Sequence, residues 1–142
     1  MRATVFVKRL SVGDRKGQNL VEFALLSIML FALVFGVIEV GRIMLVVSTI
    51  SNAARVGTRY AIVNGSDTSG ASNVSAVVND YLSAAPIDTS SASVAVSYPD
   101  TGSCRNPGCR VTVTVSYQYQ PMLTYYAFSI RLQNTSEGVI TW

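Results

Sequence analysis

The chain has 142 residues, 49% of them hydrophobic and 13% charged, with a formal charge of +3 and no histidine. That length holds one modest domain besides a membrane segment and excludes two full domains. Five cations face Asp14 alone in residues 1–17, whereas six cations and seven acids share the remainder, so the basic balance is local and a nucleic-acid-binding stripe is excluded.

Residues 1–17 read as a polar, basic leader ending Asp14-Arg15-Lys16-Gly17. Cations abutting an apolar run follow the positive-inside rule, which places this end in the cytoplasm and the region after about Glu39 across the membrane. From Gln18 there is no proline until Pro86, and residues 18–63 predict one helix on the order of 65 to 70 Å long, membrane-spanning in its first half. The uncharged core Phe23–Ile38 covers only about 24 Å, short of the roughly 30 Å of a bilayer core, so the span takes in Glu22 and Glu39. A carboxylate at the centre of such a segment costs roughly 2.5 to 3.5 kcal/mol on insertion scales, so each needs a partner or a role. Glu39 has Arg42 three residues on, as an interfacial ion pair.

In the second half of this helix Ala53, Gly57 and Ala61 recur every four residues on one face, with Arg55 and Arg59 beside them. Small residues at that spacing admit close approach of another backbone, either this chain's own sheet or a partner helix. The segment Asn64–Gly70 is a loop by composition, and Asn73–Ala84 predicts a short helix with Val74, Val77, Val78, Tyr81 and Leu82 inward. Alternation in Ser93–Tyr98 and Arg110–Tyr119 predicts an antiparallel hairpin with Pro99–Cys109 as its projecting tip. Met122–Phe128 reads as an apolar connection, and Ser129–Leu132 and Glu137–Trp142 as one or two closing strands. Residues 64–142 are thus an α+β domain in which a small antiparallel sheet packs against the long helix, with one extra short helix.

Cys104 and Cys109, flanking Arg105-Asn106-Pro107-Gly108, predict a disulfide at the hairpin tip. Closing so short a loop contributes about 2 kcal/mol by chain entropy. A metal site would need four ligands, and neither histidine nor a second cysteine pair is present. Catalysis has no support either: no base, no paired carboxylates, no phosphate-binding glycine loop and no implied cofactor. The sequons at Asn64, Asn73 and Asn134 are what chance yields in a Ser- and Asn-rich domain. An ordinary secretory signal fails because the apolar run is too long and no small-residue cleavage site follows it promptly.

Gly17-Gln18-Asn19-Leu20-Val21-Glu22-Phe23 resembles a prepilin-type signal, and Gly36–Arg42 (GVIEVGR) with Ser51–Ala61 (SNAARVGTRYA) are similar to the signatures of the TadE-like family of tight-adherence (Tad, or Flp) pilus systems. The likeness is close over residues 17–63 and looser beyond. Val56 departs from it, standing where family members often carry an acid. The resemblance implies a pilin-like fold and cleavage between Gly17 and Gln18 by a prepilin peptidase. It further implies a minor pilin or pseudopilin of the bacterial inner membrane that works with other pilin-like subunits and the assembly platform, without a small-molecule substrate. Under it the new amine of Gln18 lies about 6 Å along the helix from Glu22, a stagger that lets cation and anion pair between neighbouring helices and fix their register. Glu22 and Phe23 would then be recognition residues. Against this stand a Glu22 that merely snorkels, an uncleaved single-pass protein whose exported domain binds a partner, and a tip adhesin.

Overall fold

In the computed structural model residues 15–64, 70–122 and 128–141 are described. The leader reading for residues 1–14 and most of the Met122–Phe128 connection lie outside them. The chain divides into two compact units, one ending at Ile38 and one running from Glu39 to Trp142, and the helix α1 (Arg15–Asn64) passes through both. It begins at Arg15, three residues ahead of the expected Gln18, so Gly17 and Gln18 are both helical.

In the first unit α1 is apolar on every side and exposed on nearly every side: Leu20, Phe23, Leu26, Leu30 and Leu33 each show 60% or more of their surface. A core helix of a soluble domain buries a stripe, and this segment buries none. It is long and apolar enough to cross a membrane.

The second unit is α+β. After α1 come α2 (Gly70–Ser83), a 3-10 turn (Thr89–Ser91) and the strands β1 (Ala92–Ser97), β2 (Arg110–Tyr119) and β3 (Ile130–Val139). The strands form an antiparallel sheet in the order β1-β2-β3, with Val94 opposite Val115, Val113 opposite Ser136 and Tyr119 opposite Ile130. Central β2 follows the period-2 rule: Val111, Val113, Val115, Tyr117 and Tyr119 are buried.

Opposite them α1 presents Val46, Ile50, Ala53, Ala54, Gly57 and Ala61, a stripe at helical spacing that steps from large side chains to small ones along the helix. The taper makes room for α2. A Cβ placed on Gly57 would stand 2.5 Å from Val78 Cγ2 and 3.1 Å from Val113 Cγ1, so α2 and β2 both close on that glycine. Gly138 is as crowded, with Ile62 Cδ1 2.7 Å and Thr58 Cγ2 2.8 Å from where its Cβ would be. The Thr58 hydroxyl lies 2.9 Å from the Ala54 carbonyl oxygen and 3.2 Å from that of Ser136, so its one proton serves both.

One expectation is corrected. Of the five α2 side chains expected inward, Val74, Val78 and Leu82 are buried, while Val77 is half-buried and Tyr81 exposed. The stripe that meets α1 and the sheet is one residue wide at four-residue spacing, and Val77 and Tyr81 fall a rotation of about 100° away at its edge. Of the one or two closing strands expected, the structure has one, running without a break from Ile130 to Val139. Its polar middle, Gln133–Ser136, runs close to α1: the Ser136 carbonyl accepts from the Thr58 hydroxyl, and Gly138 beyond it packs against Thr58 and Ile62.

Candidate membrane-proximal latch and assembly face

The sequence-predicted site residues separate into four places. Gly17, Gln18, Glu22 and Phe23 lie on α1 within the first unit, all four exposed, with Glu22 one helical turn after Gln18. Ala53, Gly57 and Ala61 are fully covered by this chain's own α2 and sheet, which leaves that strip no face for a partner helix. Arg55 and Arg59 stay exposed beside it and, with Asn52, Val56 and Tyr81, line a shallow cavity of about 280 Å³.

Glu39 has more than its neighbour on the helix. Arg42 Nη1 is 3.2 Å from Glu39 Oε2, the i,i+3 pair. Oε1 accepts two further hydrogen bonds, from the Tyr119 hydroxyl at 2.7 Å and from the Met122 backbone N–H at 3.1 Å. Arg42 in turn lies 5.5 Å from the centroid of the Tyr119 ring, within cation-π range. One carboxylate therefore gathers a cation, a phenol and a backbone amide, and holds the end of β2 and the residues after it against α1. Burial raises the Tyr119 pKa and the bond to Glu39 raises it further, so the phenol remains a donor throughout the neutral range. Beside this latch a cavity of about 310 Å³ is lined by Arg42, Pro86, Asp88, Tyr117, Tyr119 and Gln120 among others.

Neither Tyr119 nor Met122 was visible as a partner of Glu39 from sequence, since 80 and 83 positions intervene. The available signal was general: a tyrosine at an inward strand position buries its ring and must find a partner for its hydroxyl.

The fourth place is the hairpin tip. Cys104 and Cys109 are joined by a disulfide, with Cα atoms 5.8 Å apart. The Gly108 N–H donates to the Ile140 carbonyl and the Ile140 N–H to the Cys109 carbonyl, so the ring is tied to the residue after β3. Thr141 carries the tie onward, its N–H donating to the Ile62 carbonyl of α1 at 3.0 Å. At the base of the tip Asp100 accepts the Arg110 backbone N–H at 2.6 Å and the Arg110 guanidinium at 3.0 and 3.1 Å. The backbone bond first and the guanidinium second hold the Asp100 carboxyl below its ordinary pKa. Glu137 is a more distant second acid for Arg110, at 3.4 Å. Gly102 and Gly108 take positive φ (76° and 96°) in the turns that return the chain.

Among the described residues no group of three or more His, Cys, Asp or Glu is placed to hold a metal ion. The chemistry on offer is charge pairing, apolar packing and a covalent staple, which fit a structural component.

A family model described as TadE-like protein matches residues 17–59. The chain carries a TadE-like domain. The match starts at Gly17, ends at Arg59 and lies wholly within α1, so the TadE-like domain includes the exposed apolar segment, both carboxylates and most of the buried small-residue stripe. This match is consistent with the Tad/Flp pilus system. No curated protein and no solved structure matches the chain.

Proposed function

We propose that this protein is a minor pilin or pseudopilin of a tight-adherence pilus, inserted in the inner membrane with its N-terminus cytoplasmic and its α+β unit exported. A prepilin peptidase cuts between Gly17 and Gln18, leaving 125 of the 142 residues. The mature helix then takes part in initiating, assembling or capping the fibre. The observation that carries this reading is the TadE-like match that opens at Gly17, the residue before the proposed scissile bond, and runs on through the apolar segment.

Physical chemistry supplies a reason for the arrangement. The helix from Leu20 to Ile38 displays apolar side chains on all sides, so it packs equally well among lipids or among similar helices. Cleavage creates a positive amine about 6 Å along the axis from Glu22. Within a bundle of such helices an amine and a carboxylate at that stagger neutralise one another between neighbours and set their register.

The test is the intact mass and N-terminal sequence of the protein from membranes of cells that hold the matching peptidase. The expected product begins at Gln18, and a Gly17→Arg variant accumulates uncut. An N-terminus at Met1, or normal processing of Gly17→Arg, would overturn the cleavage and favour a permanently anchored protein whose outer unit binds a partner.

A further inference from the structure

Most cations of the second unit are occupied. Arg42 pairs with Glu39, Arg110 pairs with Asp100 and Glu137, Arg131 donates to the Ser116 hydroxyl, and Arg105 lies 4.8 Å from the centroid of the Tyr98 ring. Arg55 and Arg59 are both exposed and make no ion pair among the described residues. They stand one turn apart on α1, a spacing at which like charges repel, and no position three or four residues from either holds an acid.

Both arginines line one cavity of about 280 Å³, which Asn52 and Tyr81 of α2 help to enclose. Asn52 and Arg55 also line a second cavity of about 410 Å³, whose walls include Ile43, Met44 and Val47. Sharing two residues, the cavities form one groove beside the buried strip of Ala53, Gly57 and Ala61. From Ile43 to Arg59 it follows α1 for about 24 Å. One end is cationic, and the other exposes the large apolar side chains of Met44 and Val47.

That order of chemistry selects the occupant. A small anion would answer the arginines and leave the apolar end bare; a lipid tail would do the reverse. A helix with two carboxylates one turn apart and apolar side chains about three turns away answers both ends at once. A second copy of this chain does not supply it: residues 43–64 hold no acid, and α2 holds Asp80 only.

We propose that this groove docks a helix of a different pilin-like subunit, whose two carboxylates pair with Arg55 and Arg59 while its apolar side chains pack at Met44 and Val47. The proposal deepens the assembly role above, and rests on it only in making the partner a fellow subunit.

The experiment uses the full chain in cells that assemble the pilus, with the photo-cross-linker p-benzoylphenylalanine placed at Asn52, which borders both cavities. A control places it at Ala95, exposed on β1. Illumination is expected to join position 52, and not position 95, to another pilin-like protein through a peptide with two acids four residues apart. Arg55→Gln with Arg59→Gln should lower the adduct on the order of tenfold at an unchanged thermal midpoint. Arg55→Glu with Arg59→Glu should abolish it, and replacing the partner's two acids by arginine should restore it. An adduct to phospholipid, to polysaccharide or to a second copy would overturn the docking, as would none at all or a yield indifferent to the arginines. The mature mass of the same material reads the cleavage separately: an N-terminus at Gln18 without the adduct sinks the docking alone, and the adduct on protein that begins at Met1 upholds it while the cleavage fails.

Discussion

Tyr119 donates its phenolic proton to Glu39 at 2.7 Å, so the last residue of the central strand is bonded to the helix just where the uncharged apolar run ends. A carboxylate with Arg42 alone would be a surface ion pair worth little. With the phenol and the Met122 amide added, Glu39 becomes a joint between α1 and the sheet.

Removing the acceptor therefore frees the chain after β2. In the detergent-solubilised protein Glu39→Ala is expected to speed hydrogen exchange at the Met122 amide on the order of tenfold, the loss of one charge-assisted bond. Tyr119→Phe, which spares the Met122 bond, gives a smaller rise at the same amide. Unaltered exchange in Glu39→Ala would show that the carboxylate carries no constraint.

Gly57 and Gly41 make a matched pair on one helix. A Cβ at Gly57 meets Val78 and Val113 inside ordinary contact distance, while one at Gly41 meets nothing within 4 Å. Overpacking of this kind costs about 1 to 3 kcal/mol, so Gly57→Ala lowers the thermal midpoint although alanine is the better helix former. Gly41→Ala has no such contact to strain and is expected to gain roughly 0.5 to 1 kcal/mol of helix propensity. Thermal melts of the two variants side by side decide it. A Gly57→Ala midpoint at or above the parent's would mean that α2 moves aside without cost.

The contrast shows what was legible in the sequence. Val111 to Tyr119 announced a half-buried strand because β2 is central and obeys period 2, and α1 announced itself by length, apolarity and the absence of proline. The strip Ala53, Gly57, Ala61 was legible as a close contact, yet its spacing did not say against what; the answer depends on where α2 and β2 lie. β3 was read as one or two closing strands because Gln133–Ser136 lacks apolar residues, and its close approach to Thr58 and Ile62 is revealed only by the packed fold. Glu39 was read with its local partner Arg42, and its distant partners followed from tertiary structure alone.

The tip carries a pH dependence. Asp100 has a folded pKa below its unfolded value, from the Arg110 backbone N–H and then the guanidinium. Such a group adds stability that is present above the unfolded value of about 3.9 and is lost as pH falls through the lower folded value. Arg110 stays protonated throughout. Asp100→Asn lacks this term, so its deficit in thermal midpoint against the parent should be constant near neutrality and shrink below about pH 4. A deficit that persists unchanged at acid pH would assign the loss to shape rather than to charge.

Reduction of the disulfide acts on the same end of the sheet. A six-residue ring closed by Cys104 and Cys109 contributes about 2 kcal/mol through loop entropy. Gly108 and Cys109 also bond Ile140, whose neighbour Thr141 reaches Ile62, so loosening should spread along that tie. Reductant, or paired Cys104→Ser and Cys109→Ser substitutions, is expected to lower the thermal midpoint and speed exchange at Gly108 and Ile140, with little change at the β1 amides. Thiol labelling of exported protein without reductant should find neither cysteine; free thiols there would refute the bridge.

The two carboxylates of the apolar helix call for opposite outcomes. Glu39 has three donors within its own unit, while Glu22 is exposed and lies one turn from Gln18, the residue that cleavage would make the N-terminus. Glu22→Ala should therefore leave the fold of residues 39–142 and the cut after Gly17 intact while preventing co-assembly with other pilin-like subunits. Glu39→Ala should disturb exchange at Met122 and leave the register of neighbouring helices alone. Fractionation of sheared pili from membranes, with the mature mass measured in each fraction, separates the two. If Glu22→Ala protein enters the fibre fraction as the parent does, the amine pairing is wrong and Glu22 only snorkels to the interface.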